Sequence, residues 1–261
     1  LGLLLKAKGP VSANLKGTLA TLDPDLPFDL ALDWKSLGWP LHKPAKDEPS
    51  YRLDKGSLSA KGKLSGYQFA LKTAGKGTDL PPFKLALSGK GDLDQLSRVE
   101  LLLNALKGEL KLDGKLAWRK GVQWQGTTEF KEINPAELVP EIKGKLAGKI
   151  ASRFELDEAG HWQLALPELR VEGKLNQYPL ALKGALSGND KMEWTIPALA
   201  LQSGPNQLQA KGALTAQAWK LDAQIDAPKL GGIYPGLGGD LKGQVRLSGS
   251  QQAPRVNADL V

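Results

Sequence analysis

The sequence predicts an all-β chain of many repeated strands with almost no helix, and three observations carry that expectation. Apolar residues recur at every second position. From Leu106 to Trp118 the even positions are Leu106, Gly108, Leu110, Leu112, Gly114, Leu116 and Trp118, while the odd ones include Lys107, Glu109, Lys111, Asp113 and Lys115. This is the period of a strand with one dry and one wet face. Second, glycine keeps interrupting the dry series, as in Ile142-Gly144-Leu146-Gly148-Ile150 and Leu237-Gly239-Leu241-Gly243-Val245-Leu247-Gly249. Glycine in a strand marks a bend or a close approach to the backbone. Third, the segment after Pro140 matches the segment after Pro235 as Pro-x-aliphatic-x-Gly-x-Leu-x-Gly-x-aliphatic. Degenerate repeats of this kind favour a stack of strands over a closed globule.

The elements follow in order. Phe28, Leu30, Leu32 and Trp34 alternate against Asp29, Ala31, Asp33 and Lys35 as the first clear strand. The stretch 39–51, with Pro40, Pro44 and Pro49, reads as a loop. Strand patterns resume from Leu58 to Gly66, at Phe69 and Leu71, and at Phe83, Leu85 and Leu87 running into Gly89 and Gly91. Asp113-Gly114 fits a tight hairpin turn, but the unbroken alternation favours one long strand through Gly108, Leu110, Leu112, Gly114, Leu116 and Trp118. Arg119-Lys120-Gly121 reads as a hairpin loop before Val122 and Trp124. Asn134 as N-cap, Pro135 at the first helical position and Pro140 as a stop allow about one helical turn. Beyond it come Ile142, Leu146 and Ile150, then Phe154, then Trp162 with Leu164. Leu169 to Leu175 carries Gly173, and Leu182, Gly184 and Leu186 follow. The remaining segments hold Trp194 and Ile196, Gly212 and Leu214, Trp219 and Leu221, and Leu241, Val245 and Leu247. About 16–20 strands spaced ~4.8 Å apart are expected.

The apolar residues named in these strands, apart from Leu58, Val122, Leu169 and Leu175, are the candidate lining of a groove. Its glycines are Gly108, Gly114, Gly144, Gly148, Gly173, Gly184, Gly212, Gly239 and Gly243. In a conventional sandwich, so many interior glycines leave the core underpacked. A channel filled by acyl chains removes that difficulty, and a closed barrel or solenoid curved by its glycines is the alternative.

Composition narrows the class. The 261 residues are 41% hydrophobic and no run approaches the ~18 apolar residues of a spanning helix. The chain begins and ends inside its own pattern, so a continuous segment truncated at both ends, with no separate globular domain, is the expectation. No cysteine is present, which removes disulfides and thiolate chemistry. The net charge of +7 comes from lysines set singly among acids on the wet face, and arginines are scattered. A nucleic-acid reader clusters its basic residues and exposes aromatics for stacking, so nucleic acid is not an expected partner. Lysines on a strand surface discourage aggregation.

The catalytic inventory is thin. His42 lies in the proline-rich loop and His161 sits near a strand start, and neither has the company of a ligand or a base. No nucleophile elbow and no phosphate loop appears. An enzyme, a metal site and a cofactor are therefore not expected.

The ordered motifs resemble the TamB family, among the AsmA-like or bridge-like lipid-transfer proteins of Gram-negative envelopes. The segment Ile225-Asp-Ala-Pro228-Lys-Leu230 carries it, with Pro235-Gly-Leu-Gly-Gly239, Leu241-Lys-Gly243, Leu247-Ser-Gly249 and Pro254-Arg-Val256-Asn-Ala-Asp259-Leu260. Trp39-Pro40-Leu41, Gly62-Lys-Leu64, Gly89-Lys-Gly91 and Trp194-Thr-Ile196-Pro197 add to it. The resemblance implies an elongated β-taco, a long sheet folded into a U-shaped, apolar-lined channel across the periplasm. It further implies an N-terminal inner-membrane helix and a TamA-like outer-membrane barrel partner, both served by regions outside this segment. The implied roles are phospholipid movement to the outer membrane and support of outer-membrane protein assembly, with phospholipid or detergent acyl chains as the bound species and outer-membrane proteins as clients. A strand-offering chaperone without lipid conduction and a β-solenoid passenger or adhesin are the alternatives. The second would present rows of exposed aromatics, Asn and Thr, in which this chain is poor.

Overall fold

The computed structural model describes residues 1–7, 12–40, 50–232 and 236–261. Those residues form seventeen antiparallel strands and two single-turn 3₁₀ segments, Pro135–Glu137 and Leu230–Gly232. The chain is thus nearly all β, and it divides into two compact units, Leu1–Arg119 and Lys120–Val261.

The first unit is an eight-strand meander. Its strands are β1 (Gly2–Ala7), β2 (Ser12–Leu19), β3 (Phe28–Trp39), β4 (Tyr51–Lys63), β5 (Gly66–Gly77), β6 (Phe83–Gly91), β7 (Gln95–Ala105) and β8 (Gly108–Ala117). Each pairs with the next in sequence. The second is a nine-strand meander of β9 (Val122–Ile133), β10 (Gly144–Leu156), β11 (Trp162–Leu175), β12 (Tyr178–Asn189), β13 (Trp194–Ser203), β14 (Asn206–Leu214), β15 (Trp219–Ala227), β16 (Leu241–Gly249) and β17 (Pro254–Leu260). Its neighbours in sequence are again neighbours in the sheet. No described pairing joins the first strand of a unit to its last, so both sheets stay open.

Seven strands run 12–14 residues, against the usual five or six. Such lengths suit a wall, because each strand presents six or seven side chains to each face. Among the described residues, no large side chain is fully enclosed. Among the described residues only Trp34, Val99 and Ala227 form a buried apolar set, and no residue falls below 2% exposure as a large core side chain. A closed sandwich shuts its inner residues away from water, and neither unit does so.

Several boundaries differ from the sequence reading. Leu106 and Lys107 belong to a two-residue turn, with φ of 51° and 60°, and Ala105 stands opposite Gly108. Two positive φ values are the signature of the hairpin turn whose twist matches its strands. The alternation that begins at Leu106 therefore runs through a turn before β8 starts. Asp113-Gly114 lies within β8, as the alternation favours. Leu237 and Gly239 precede β16 and are exposed, with Gly239 at φ 86°, so that dry series starts only at Leu241. Strands β1, β2, β7 and β17 were not separately anticipated. In β7 the run Leu101-Leu102-Leu103 hides the alternation, because Leu102 is an apolar residue on the wet face. Asn134 caps the first 3₁₀ turn, accepting from the Ala136 amide at 3.2 Å, as its sequence implied. His42 and most of the loop 39–51 lie outside the described residues, as does Pro235.

Candidate apolar binding face

Register decides which side chains meet, because one residue of slip inverts a strand's faces. In the first unit it aligns leucine on every strand. Leu5 is opposite Leu15, which is opposite Leu32, then Leu58, Leu71, Leu87, Leu101 and Leu112. Eight strands thus give one continuous row of leucine. The next row on this face alternates large and small: Leu3, Gly17, Leu30, Ala60, Phe69, Gly89, Val99, Gly114. On the other side run Ala13, Trp34, Gly56, Thr73, Leu85, Leu103 and Leu110. No Asp, Glu, Lys or Arg occupies these three rows.

The large-small row corrects the packing argument made from glycine. A side chain added at Gly89 would meet the Phe69 ring at 2.6 Å, and one at Gly17 would meet Leu30 at 2.7 Å. Gly56 lies under the Trp34 indole, and Gly148 in the second unit lies 2.6 Å from the Phe130 ring by the same measure. At these four positions the space left by glycine is filled by the large residue of the adjoining strand, a covering also used to rescue strand glycines by aromatics, whereas Gly173, Gly212 and Gly243, all at positive φ, face backbone atoms alone. The four covered glycines therefore flatten the face, and they do not by themselves leave volume for a ligand.

In the second unit the face is equally free of charge but less regular. Phe130, Gly148, Val171, Leu182, Leu201, Leu208, Ile225, Gly243 and Leu260 form its longest row. Ile150 is opposite Leu169, which is opposite Gly184, and Leu146 is opposite Gly173. Phe154 stands between Trp124 and Leu164. The Trp162 and Trp194 rings are 6.4 Å apart, and Leu186 faces Leu166. Ile196 is opposite Gly212, Leu214 opposite Trp219, and Leu221 between Gly212 and Leu247. Leu241 and Val245 face Ala227 and Ala223. Gly144 begins β10 opposite Leu175, with Ile142 just before it. In the first unit, Phe28 is opposite Gly62, Phe83 opposite Gly75, Leu116 opposite Leu96, and Gly108 opens β8.

Three candidates stand apart from the half-buried rows. Trp118 lies past the end of β8, is 39% exposed and donates its indole N–H to the Leu93 carbonyl at 2.7 Å. Gly173 and Gly239 are exposed. Sequence reasoning missed Leu5, Leu15, Leu58 and Leu101, although a leucine at one register position of successive strands was a readable signal.

The opposite face carries the charge. Lys61 pairs with Asp29 at 2.9 Å, Arg98 with Glu100, Lys145 with Glu132 at 3.2 Å and Arg246 with Asp222 at 2.8 Å. These pairs are exposed and individually weak. His161 is exposed in the turn before β11, 2.9 Å from Asp190. That hydrogen bond, with the charges of Asp157 and Asp190, raises its pKa above the ordinary 6.5. Among the described residues, no three His, Cys, Asp or Glu converge as for a metal, and no helix is long and apolar enough to cross a membrane.

An open antiparallel β protein whose units each carry an uncharged face and a charged face is the class these features define. The family description "TamB, N-terminal domain" matches residues 1–261, and the chain belongs to the TamB family. It is 29% identical over 260 residues to the translocation and assembly module subunit TamB of Haemophilus influenzae, covering 99% of this chain and 20% of that protein. It is 22% identical over 239 residues to an uncharacterised protein of Buchnera aphidicola, covering 91% of this chain and 22% of that one. The chain thus spans about a fifth of the length of these relatives. No solved structure matches it.

Proposed function

We propose that this chain is a non-enzymatic section of a periplasmic bridge whose apolar face conducts phospholipid acyl chains between the inner and outer membranes. In this reading the whole protein is anchored in the inner membrane, works with a TamA-like outer-membrane barrel and supports outer-membrane protein assembly. The observation that carries it is that each unit keeps an uncharged face across its own strands, with most of its leucines only half-buried. An apolar surface of that extent, left open, is a binding surface. Membership of the TamB family, and the naming of a relative as a translocation and assembly module subunit, support the same reading.

Leu110→Arg tests it. Leu110 is half-buried on the apolar face and the adjoining Lys111 is exposed on the other. A desolvated charge costs several kcal/mol even after relaxation, so one arginine interrupts an acyl path. Cells carrying Leu110→Arg should lose outer-membrane integrity, while Lys111→Arg cells keep it. Equal integrity in both strains, with the Leu110→Arg protein folded, contradicts conduction along this face.

A further inference from the structure

The charged face of the first unit gathers four lysines without carboxylate partners around one hollow. A concavity of about 880 Å³ crosses β2 to β7, and Lys35, Lys55, Lys72 and Lys84 surround it. None of the four forms an ion pair among the described residues, whereas Lys61 and Lys111 on this face lie 2.9 and 3.5 Å from Asp29 and Glu109. Lys35 and Lys55 are direct cross-strand partners. Like charges placed opposite each other destabilise a sheet. The nearby Asp54 does not relieve them, because it is held by Arg52 at 2.7 Å. Asp33 is the one carboxylate in the lining, which leaves a net charge of +3 from four lysines and one aspartate.

Between the lysines the surface is apolar. Ala74, Ala86 and Leu102 are half-buried there, on a face that is otherwise solvated. One further group lacks a partner. Of the described buried side-chain atoms without a hydrogen bond, the Asn14 oxygen belongs to a residue of this face that lines the concavity. An unpaired buried polar atom is costly to leave so. The region therefore offers cations, a hydrogen-bond acceptor and an apolar floor across six strands, a span of roughly 24 Å at ~4.8 Å per strand.

We propose that this concavity is a second lipid site, binding a phospholipid with an anionic, hydroxyl-bearing headgroup on the face opposite the apolar rows. The phosphate sits between Lys35 and Lys55, where it relieves their repulsion. A headgroup hydroxyl donates to the Asn14 oxygen, and an acyl chain lies along Ala74, Ala86 and Leu102. Lysine serves here as a point-charge phosphate binder. An acidic peptide fits less well, because extended peptides bind sheets through free backbone groups at an edge. Strands β2 to β7 are paired on both sides and have no free edge. The site does not depend on conduction along the apolar face.

Calorimetry on the full-length protein tests it, with dihexanoyl phosphatidylglycerol below its micelle concentration as the probe. Dihexanoyl phosphatidylcholine, inorganic phosphate and hexaglutamate are the comparisons. Phosphatidylglycerol should bind at least about tenfold more tightly than phosphatidylcholine or phosphate, with roughly a fivefold loss for each lysine removed in Lys35→Gln and Lys55→Gln. The double variant should melt at or above the parent's temperature, since it removes a like-charge pair. Lys61→Gln should bind as the parent does, and in Leu110→Arg the preference for phosphatidylglycerol over phosphatidylcholine should persist even where conduction fails. Equal affinity for the two lipids, an unaffected double variant, phosphate binding as tightly as the lipid, or binding of hexaglutamate in place of lipid would each overturn the proposal.

Discussion

The two units use the same alternation and the same uncharged face, yet they place their irregularities differently. In the first unit the bulges lie towards strand ends, at Asp54 in β4 and at Ser97–Arg98 in β7. The central leucine row stays in register through all eight strands. In the second unit, bulges cut through the middle of β11 and β13. Leu166 and Leu169 face Leu186 and Gly184, while Ile196 and Leu199 face Gly212 and Ala210. Each of these bulges contains a proline, Pro167 or Pro197, which a central strand tolerates only where the ladder is already interrupted. A bulge adds one residue, so the side chains beyond it return to their original face. The comparison teaches that continuity of the apolar face, and not of the hydrogen-bond ladder, is what both units keep.

Deletions break this comparison most sharply. Removing Ala70 from β5 turns Leu71 and Thr73 outward and Lys72 inward, and the first unit should lose its cooperative unfolding transition. Removing Pro167 from β11 erases a bulge but leaves Leu166 and Leu169 on one face, and that variant should unfold in one transition. Thermal melts of the two proteins decide the matter. If the Pro167 deletion is as damaging as the Ala70 deletion, the bulges serve something other than face continuity.

A smaller effect is expected at the covered glycines. Gly89→Leu forces the Phe69 ring aside and should cost about 1–3 kcal/mol, the usual range for overpacking. In the second unit Gly148→Leu against Phe130 should cost a similar amount. Gly89→Leu combined with Phe69→Ala should recover part of the loss, because residues in contact are not additive. Strict additivity in denaturant titrations would mean that the ring does not occupy the glycine's space.

The smallest effect is at His161, in the second unit alone. Its raised pKa means that protonated His161 is favoured in the folded state. The stabilisation is present below the ordinary imidazole value of 6.5 and fades as pH rises through the higher folded value. Nuclear magnetic resonance titration should show the elevated pKa in the parent and its return towards 6.5 in Asp190→Asn. An unchanged titration in that variant removes the Asp190 contact as the cause.

The face was legible in the sequence because it depends only on parity. Phe28 to Trp34, Leu110 to Leu116 and Trp219 to Ile225 could be assigned to it without knowing their neighbours. What parity cannot supply is register. The leucine row and the Phe69–Gly89 contact join residues from different strands, and turn geometry sets which ones meet. The turn at Leu106-Lys107 carries no glycine, asparagine or proline, so its position was hidden inside an alternating run. The covering of Gly17, Gly56, Gly89 and Gly148 was hidden for the same reason, since the residue over each one lies on another strand. The lysine concavity was illegible too, because singly spaced lysines look alike until pairing shows which lack a carboxylate.

The central claim is that the apolar rows contact lipid. Photo-crosslinking in living cells tests it most directly, with the reactive residue placed at Leu112 of the leucine row or at Asp113 on the other face, and at Leu182 or Lys183 in the second unit. The account predicts phospholipid adducts at Leu112 and Leu182 and none at Asp113 and Lys183. Equal capture at both members of each pair, or capture at neither, would contradict it.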